Sequence, residues 1–206
     1  MPVPMTPPAE KALLPPNVRH AQHSSPHQLP PKHTVYKYDH TSAPQILLLG
    51  DSIIRQVKLP AAITYCVDNG WVNYLFPLLP KILQLFPSIS KIIIHIGSNN
   101  VMDRKSAQLH SEIEELCVKL ESLGKSCTLS GPIPSPARGS ECFSRLYSLH
   151  QWLKNFSIAA GYNFIGNYDL FWTRYDFYDK DQFHPNKEGV IQLTFNFLNF
   201  IAFAPL

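Results

Sequence analysis

From Ile46 onward, short apolar runs alternate with longer stretches whose apolar residues recur every three or four positions. Ile46–Leu49 is a four-residue apolar run, followed by a helix-compatible stretch reaching about Leu59. Ala61–Val67, with β-branched Ile63, Thr64 and Val67, predicts a second strand. Val72–Phe86 has helical periodicity, but Pro77 and Pro80 interrupt it, so the pattern predicts a broken or late-starting helix. Ile92–Ile96 is almost wholly apolar and β-branched, as a parallel strand covered on both faces should be. Ser106–Leu123 places Leu109, Ile113, Leu116 and Leu120 on one helical stripe, and Gly124 stops it. Ser126–Ser130 predicts a fourth strand, Glu141–Gly161 a long amphipathic helix and Asn163–Ile165 a short fifth strand. A last helix runs from Pro185, near its first turn, to about Phe203.

Strand–helix alternation of this kind implies α/β architecture, with a five-stranded parallel sheet, right-handed crossovers and helices on both faces. Ligands of such sheets bind outside the carboxyl ends of the strands. Residues 1–44 lack this pattern and hold ten of the 19 prolines and five of the nine histidines. A segment that poor in apolar periodicity cannot offset its ordering entropy, so the sequence predicts a disordered Pro/His-rich tail, residues 1–44, before a domain at 45–206. His20, His23, His27, His33 and His40 could suggest a metal site, but a solvated, compositionally biased tail is the better reading.

Composition narrows the class. Hydrophobic residues at 45% and charged residues at 16% suit a packed core, and a formal charge of +3 does not by itself imply a polyanionic partner. Cys66, Cys117, Cys127 and Cys142 show no metal-site or C-x-x-C spacing. With no apolar segment near Met1 to read as a secretory leader, they are expected as reduced thiols in a cytoplasmic or nuclear, not secreted, protein. No apolar stretch approaches the ~18–20 residues of a membrane span.

Three segments carry chemistry: Gly50-Asp51-Ser52 closing one apolar run, Gly97-Ser98-Asn99-Asn100 closing another, and Asp181-Gln182-Phe183-His184. Ser52 is a candidate nucleophile, since a hydroxyl needs an adjacent base and His184 supplies one. Its blander role is to cap the helix expected after it. Asp181 can fix the imidazole tautomer, though Asp176 and Asp179 lie near enough in sequence to compete. Asn99 offers an amide N–H to an oxyanion, with backbone N–H groups of Ser52 and of the turn Asp68-Asn69-Gly70 completing the hole. Together they predict ester cleavage. A plain nucleotide binder fits poorly, because no Gly-rich phosphate loop follows the first strand.

In these residues the chain resembles the SGNH, or GDSL-like, hydrolase superfamily from about Gln45 to its end. The resemblance implies a flavodoxin-like three-layer α/β/α sandwich in which Ser52, His184 and Asp181 form the catalytic triad. It likewise implies an oxyanion hole at Ser52, Asn69 or Gly70, and Asn99, with no metal or organic cofactor. A narrower resemblance is to the esterase domain in first-open-reading-frame proteins of LINE-type retrotransposons. Ile53-Ile54-Arg55-Gln56-Val57, Thr64-Tyr65-Cys66, Ser130-Gly131-Pro132-Ile133-Pro134, Phe171-Trp172 and His184-Pro185-Asn186-x-x-Gly189 carry it. It implies small acyl-ester or lipid substrates and association with element RNA or a membrane surface; a non-catalytic binding module on the same fold is the alternative. This chain departs from the family pattern with Asn100 for aspartate, Gln182 for glycine, and Cys66-Val67-Asp68-Asn69-Gly70 where relatives read Cys-x-Pro-Gly-Ala.

Overall fold

The computed structural model describes residues 33–37, 43–68, 70–103 and 105–203. Its sheet has six strands in the order β1-β3-β2-β4-β5-β6. These are β1 His33–Lys37, β2 Ile46–Gly50, β3 Ala62–Val67, β4 Lys91–His95, β5 Ser126–Ser130 and β6 Asn163–Ile165. The last five are parallel neighbours and give the expected flavodoxin-like sheet. The sheet reaches further toward the N-terminus than the sequence reading places it. β1, inside the stretch assigned to the tail, pairs antiparallel with β3 from His33↔Val67 to Lys37↔Ile63. An edge strand needs only backbone pairing, so His-Thr-Val-Tyr-Lys carries no long apolar run to betray it. His20, His23 and His27 lie outside the described residues, as does His40.

Alternate side chains of each strand feed two cores. Leu47 and Leu49 of β2 pack under α1 Val72–Leu85, α2 Ser106–Ser122 and α3 Gly139–Ala160. Ile46 and Leu48 pack against Leu193 and Phe197 of α5 Lys187–Phe203 and against Phe171 of the short α4 Tyr168–Phe171. Each fully buried Leu or Ile contributes on the order of 1.5–3 kcal/mol, so the sandwich is held from both sides.

Two local expectations give way. α1 is unbroken although Pro77 and Pro80 lie inside it. Both are exposed while Leu75, Leu79 and Ile82 are buried, so water can satisfy the carbonyls the prolines leave without donors. Conversely, the helix expected after β2 is a single 3-10 turn, Ser52–Ile54. Ile53, Ile54, Val57 and Leu59 beyond it are buried as a compact connection into β3. The loops of Ser52 and Asn99 follow the carboxyl ends of β2 and β4, and the stretch holding Asp181 and His184 leads into α5.

Candidate active site

The first loop begins with a close approach. A side chain at Gly50 would put its Cβ 2.1 Å from the His95 carbonyl oxygen, the same oxygen that accepts the Asp51 N–H at 3.2 Å. Only glycine lets β2 and β4 lie that near just before the chain turns. Asp51 is fully buried, and its Oδ1 accepts the Ile53 N–H at 3.1 Å, so Asp51 rather than Ser52 caps the 3-10 turn. That frees the Ser52 hydroxyl. A turn this short also supplies little of the field that a full helix N-terminus would place beside Ser52. Burial pushes the Asp51 carboxyl up to about 6. The Ile53 N–H, the Ser98 hydroxyl and the charges of His184 and Arg138 pull it down. Its Oδ2 and the Ser98 Oγ are nonetheless buried without a well-formed hydrogen bond.

Ser52 is 8% exposed at the surface end of this turn. Its Oγ lies 2.9 Å from His184 Nε2, across 132 residues of sequence. His184 Nδ1 lies 2.6 Å from Asp181 Oδ2. Asp181 Oδ1 accepts the backbone N–H groups of Phe183 at 2.9 Å and His184 at 3.0 Å. One carboxylate therefore shapes the loop and points the imidazole. Desolvation would raise the Asp181 carboxyl, but the His184 bond and the two backbone donors outweigh it and hold it at about 2. An anion at Oδ2 selects the Nδ1–H tautomer, leaving the Nε2 lone pair for the Ser52 proton. The competing carboxylate of Asp176 is taken by Arg174 through two bonds, 3.0 and 2.8 Å. Asp179 contributes its backbone N–H to the His184 carbonyl at 2.9 Å.

Gly97 enters the loop after β4 with φ +113°, a conformation that favours glycine. Asn99 Nδ2 donates to the Gly70 carbonyl at 3.3 Å, leaving its second N–H for another acceptor. Gly70 is bonded through both of its backbone groups. Its N–H closes the turn onto the Val67 carbonyl at 3.0 Å, and its carbonyl takes the Asn99 amide. Asn69 lies outside the described residues. Asn100 Oδ1 reaches back to the Val72 N–H at 3.4 Å, capping α1 from a distance where Trp71 provides no side-chain cap.

A cavity of about 180 Å³ opens on Ser52 and His184, walled by Ile53, Arg55, Gln56, Pro185 and Val190. Arg55 Nη2 is paired with Asp68 Oδ1 at 2.5 Å, tying the Ser52 turn to the turn after β3. A larger cleft of about 350 Å³, lined by Phe143, Phe171, Trp172 and Tyr175, lies across residues 134–140 and includes neither Ser52 nor His184. Among the described residues no group of His, Cys, Asp and Glu is placed to hold a metal ion. None of their helices is long and apolar enough to cross a membrane.

Sequence reasoning missed Arg138, whose Nη1 donates to the Ser98 carbonyl at 3.1 Å and whose guanidinium carbon lies 3.8 Å above the Phe183 ring. Its one signal is that it is the lone charged residue in the stretch 132–140.

A parallel sandwich with a serine, an imidazole and a carboxylate in line outside its strand ends defines a hydrolase-type fold of the SGNH class. Solved structures agree. A lipolytic protein of the G-D-S-L family from Veillonella parvula is 16% identical, with a TM-score of 0.66 over 78% of this chain and 100% of that one. A catalytic mutant of an acetylxylan esterase from Geobacillus stearothermophilus is 14% identical, with a TM-score of 0.63 over 79% and 95%. These show the fold. The esterase domain of the ZfL2-1 ORF1 protein, from a zebrafish retrotransposon, is 30% identical over 76% of this chain and 98% of that domain, with a TM-score of 0.45. On that identity the chain belongs to the SGNH/GDSL-like hydrolase superfamily. No protein-family model matches the chain, and no curated protein does.

Proposed function

We propose that the chain is a serine esterase that cleaves short, acetyl-type acyl esters, with Ser52 as nucleophile, His184 as base and Asp181 as its orienting carboxylate. The observation that carries this reading is the unbroken line Ser52 Oγ, His184 Nε2 at 2.9 Å, His184 Nδ1, Asp181 Oδ2 at 2.6 Å. Ser52 Oγ attacks the ester carbonyl carbon as its proton passes to His184 Nε2, and Asp181 stabilises the imidazolium. The carbonyl oxygen, now an oxyanion, takes the second Asn99 Nδ2–H and the Ser52 backbone N–H. Collapse breaks the bond to the alcohol oxygen, which receives the His184 proton and leaves Ser52 acylated. Water, deprotonated by His184, then hydrolyses the acyl-serine and restores the hydroxyl.

The small cavity at Ser52 supports a short acyl or alcohol group, and the larger aromatic cleft, being separate from Ser52, offers no tunnel for a fatty chain. One neighbour is an acetylxylan esterase and another an esterase domain of a retrotransposon protein, which favours acetyl-type substrates and an origin in a mobile element. Association with element RNA or with a membrane surface belongs to the same reading.

A second reading, an esterase fold kept as a weakly active or inactive binding module, draws on one observation: the Gly70 N–H is already spent on Val67. That leaves fewer oxyanion donors. Covalent labelling by a serine-reactive phosphonate, together with turnover of a panel of esters by wild type and Ser52→Ala, separates the two. The esterase reading requires labelling and turnover that Ser52→Ala abolishes. Turnover by purified Ser52→Ala at the wild-type rate would refute it.

A further inference from the structure

Three loops must hold their spacing for this site to work: 97–100 after β4, 132–140 after β5, and 179–184 before α5. They meet at Arg138. Its Nη1 donates at 3.1 Å to the carbonyl of Ser98, the residue before Asn99. Its guanidinium carbon lies over Phe183, 3.8 Å from the ring centroid. The Phe183 ring in turn meets the His184 imidazole edge-on, centroids 4.7 Å apart at 75°. Two lesser ties run the same way. The Ala137 N–H donates to the Gln182 carbonyl at 3.3 Å, and the Tyr178 hydroxyl donates to the Pro134 carbonyl at 2.8 Å. These join residues 132–140 to the base loop alone. Arg138 is the side chain that also reaches the loop of Asn99.

We infer that Arg138 is a positioning residue that sets the Asn99 amide in register with the His184 imidazole, an inference that rests on the esterase reading above. The chemistry suits the task. A guanidinium keeps its charge at any working pH and donates in a fixed plane. It can therefore hold a carbonyl at its edge and an aromatic ring beneath its face at once. A carbonyl bond alone would fix one loop, and ring stacking alone the other; the planar cation does both. It transfers no proton, and its effect reaches the reaction only through Asn99 and His184.

The test is a set of variants assayed with one chromogenic acetyl ester, beside melting curves. Arg138→Met keeps the stem and loses the donor and the charge. A misplacement of about 1 Å can cost on the order of 10²-fold, so kcat should fall by roughly 10–100-fold with KM little changed and the melt retained. Arg138→Lys, which keeps a cation and a donor, should recover most of that loss. The decisive readout is coupling with Asn99. Asn99→Ala should cost roughly 10²–10³-fold in the wild-type background, but about 10-fold less than that once Arg138→Met has already let Asn99 drift. Phe183→Leu, should Arg138→Met fold poorly, ought to reproduce the kcat loss in milder form. Wild-type kcat in Arg138→Met, or penalties that simply multiply with Asn99→Ala, would overturn the inference. Ser52→Ala stays inactive in those outcomes, whereas an active Ser52→Ala would instead sink the esterase reading itself.

Discussion

Replacing Asp181 by Asn separates the two jobs of that carboxylate. In the loop, Oδ1 accepts the Phe183 and His184 N–H groups at 2.9 and 3.0 Å, and an asparagine oxygen can take both. At the imidazole, the substitution puts an NH₂ donor where Oδ2 now stands, 2.6 Å from Nδ1. Two donors cannot face each other. The imidazole must shed its Nδ1 proton and carry it on Nε2, so that Ser52 Oγ meets an N–H in place of a lone pair. A wrong tautomer of this kind costs on the order of 10⁴ in kcat in serine hydrolases, so Asp181→Asn should lose about 10³–10⁴-fold at neutral pH. Stability should barely move: one hydrogen bond at an exposed turn is worth roughly 0.5–1.5 kcal/mol at most. For a domain of this size that is a few degrees of Tm at about 2–4 °C per kcal/mol. The assay is acetyl-ester turnover of the two proteins from pH 5 to 9, with thermal melts on the same samples. Asp176 is held by Arg174, and Asp179→Asn in the same background removes the other nearby carboxylate, which lines the cavity at His184. Asp181→Asn keeping more than a tenth of the wild-type kcat, with an unchanged melt, would refute the assignment of the tautomer to Asp181.

Asp51, raised by burial from 3.8 to about 6, binds its proton more tightly folded than unfolded. Its contribution is therefore fully present below about pH 4 and is lost as pH rises through 6, on the order of 3 kcal/mol in all. Denaturant unfolding at pH 4.5 and 7 should show about two-thirds of that loss in wild type and none of it in Asp51→Asn; parallel pH dependences in the two proteins would exclude Asp51 as its source. Gln182 sits at φ +52°, where a side chain costs roughly 1–2 kcal/mol. Gln182→Gly should relieve this and give back part through unfolded-state entropy, for a net gain of up to about 1 kcal/mol. A clear loss of stability would mean the conformation is not strained. Asn100→Asp would place a carboxylate by the first N–H of α1, adding about 0.3–1 kcal/mol at neutral pH that vanishes when the acid protonates. An equal Tm difference at pH 7 and pH 4 would count against that.

Strands buried on both faces were the most legible part of the sequence, because Leu47–Leu49 and Ile92–Ile94 serve two cores at once and leave almost no polar position. Prolines misled where their exposure, not their presence, decides the outcome, as in α1. The turn after Ser52 was misread because Ile53, Ile54 and Val57 mimic one stripe of a helix while filling the space between two strands. Ser52, His184 and Asp181, which the structure joins in one line of hydrogen bonds, are typed by their side chains and could be singled out from the sequence. Those whose part depends on the backbone could not. Gly70 spends its N–H inside its own turn, and Arg138 matters only because two distant loops arrive beside it.

The antiparallel strand β1 gives the sheet a different kind of protection. Without it, β3 with its run Ala-Ile-Thr-Tyr-Cys-Val would be the outermost strand and would present a row of unpaired N–H and C=O groups. Such an edge is a template for a second chain. β1 occupies that template with a segment of the same molecule and ends it on Lys37. A chain cut just before His33 keeps this cover, whereas one cut after residue 40 loses it while keeping the core and the Ser52 loop intact. The limit of the folded unit on this side is therefore set by self-association more than by stability. Shortening past it should yield a protein that still melts cooperatively when dilute and stacks edge to edge as it is concentrated.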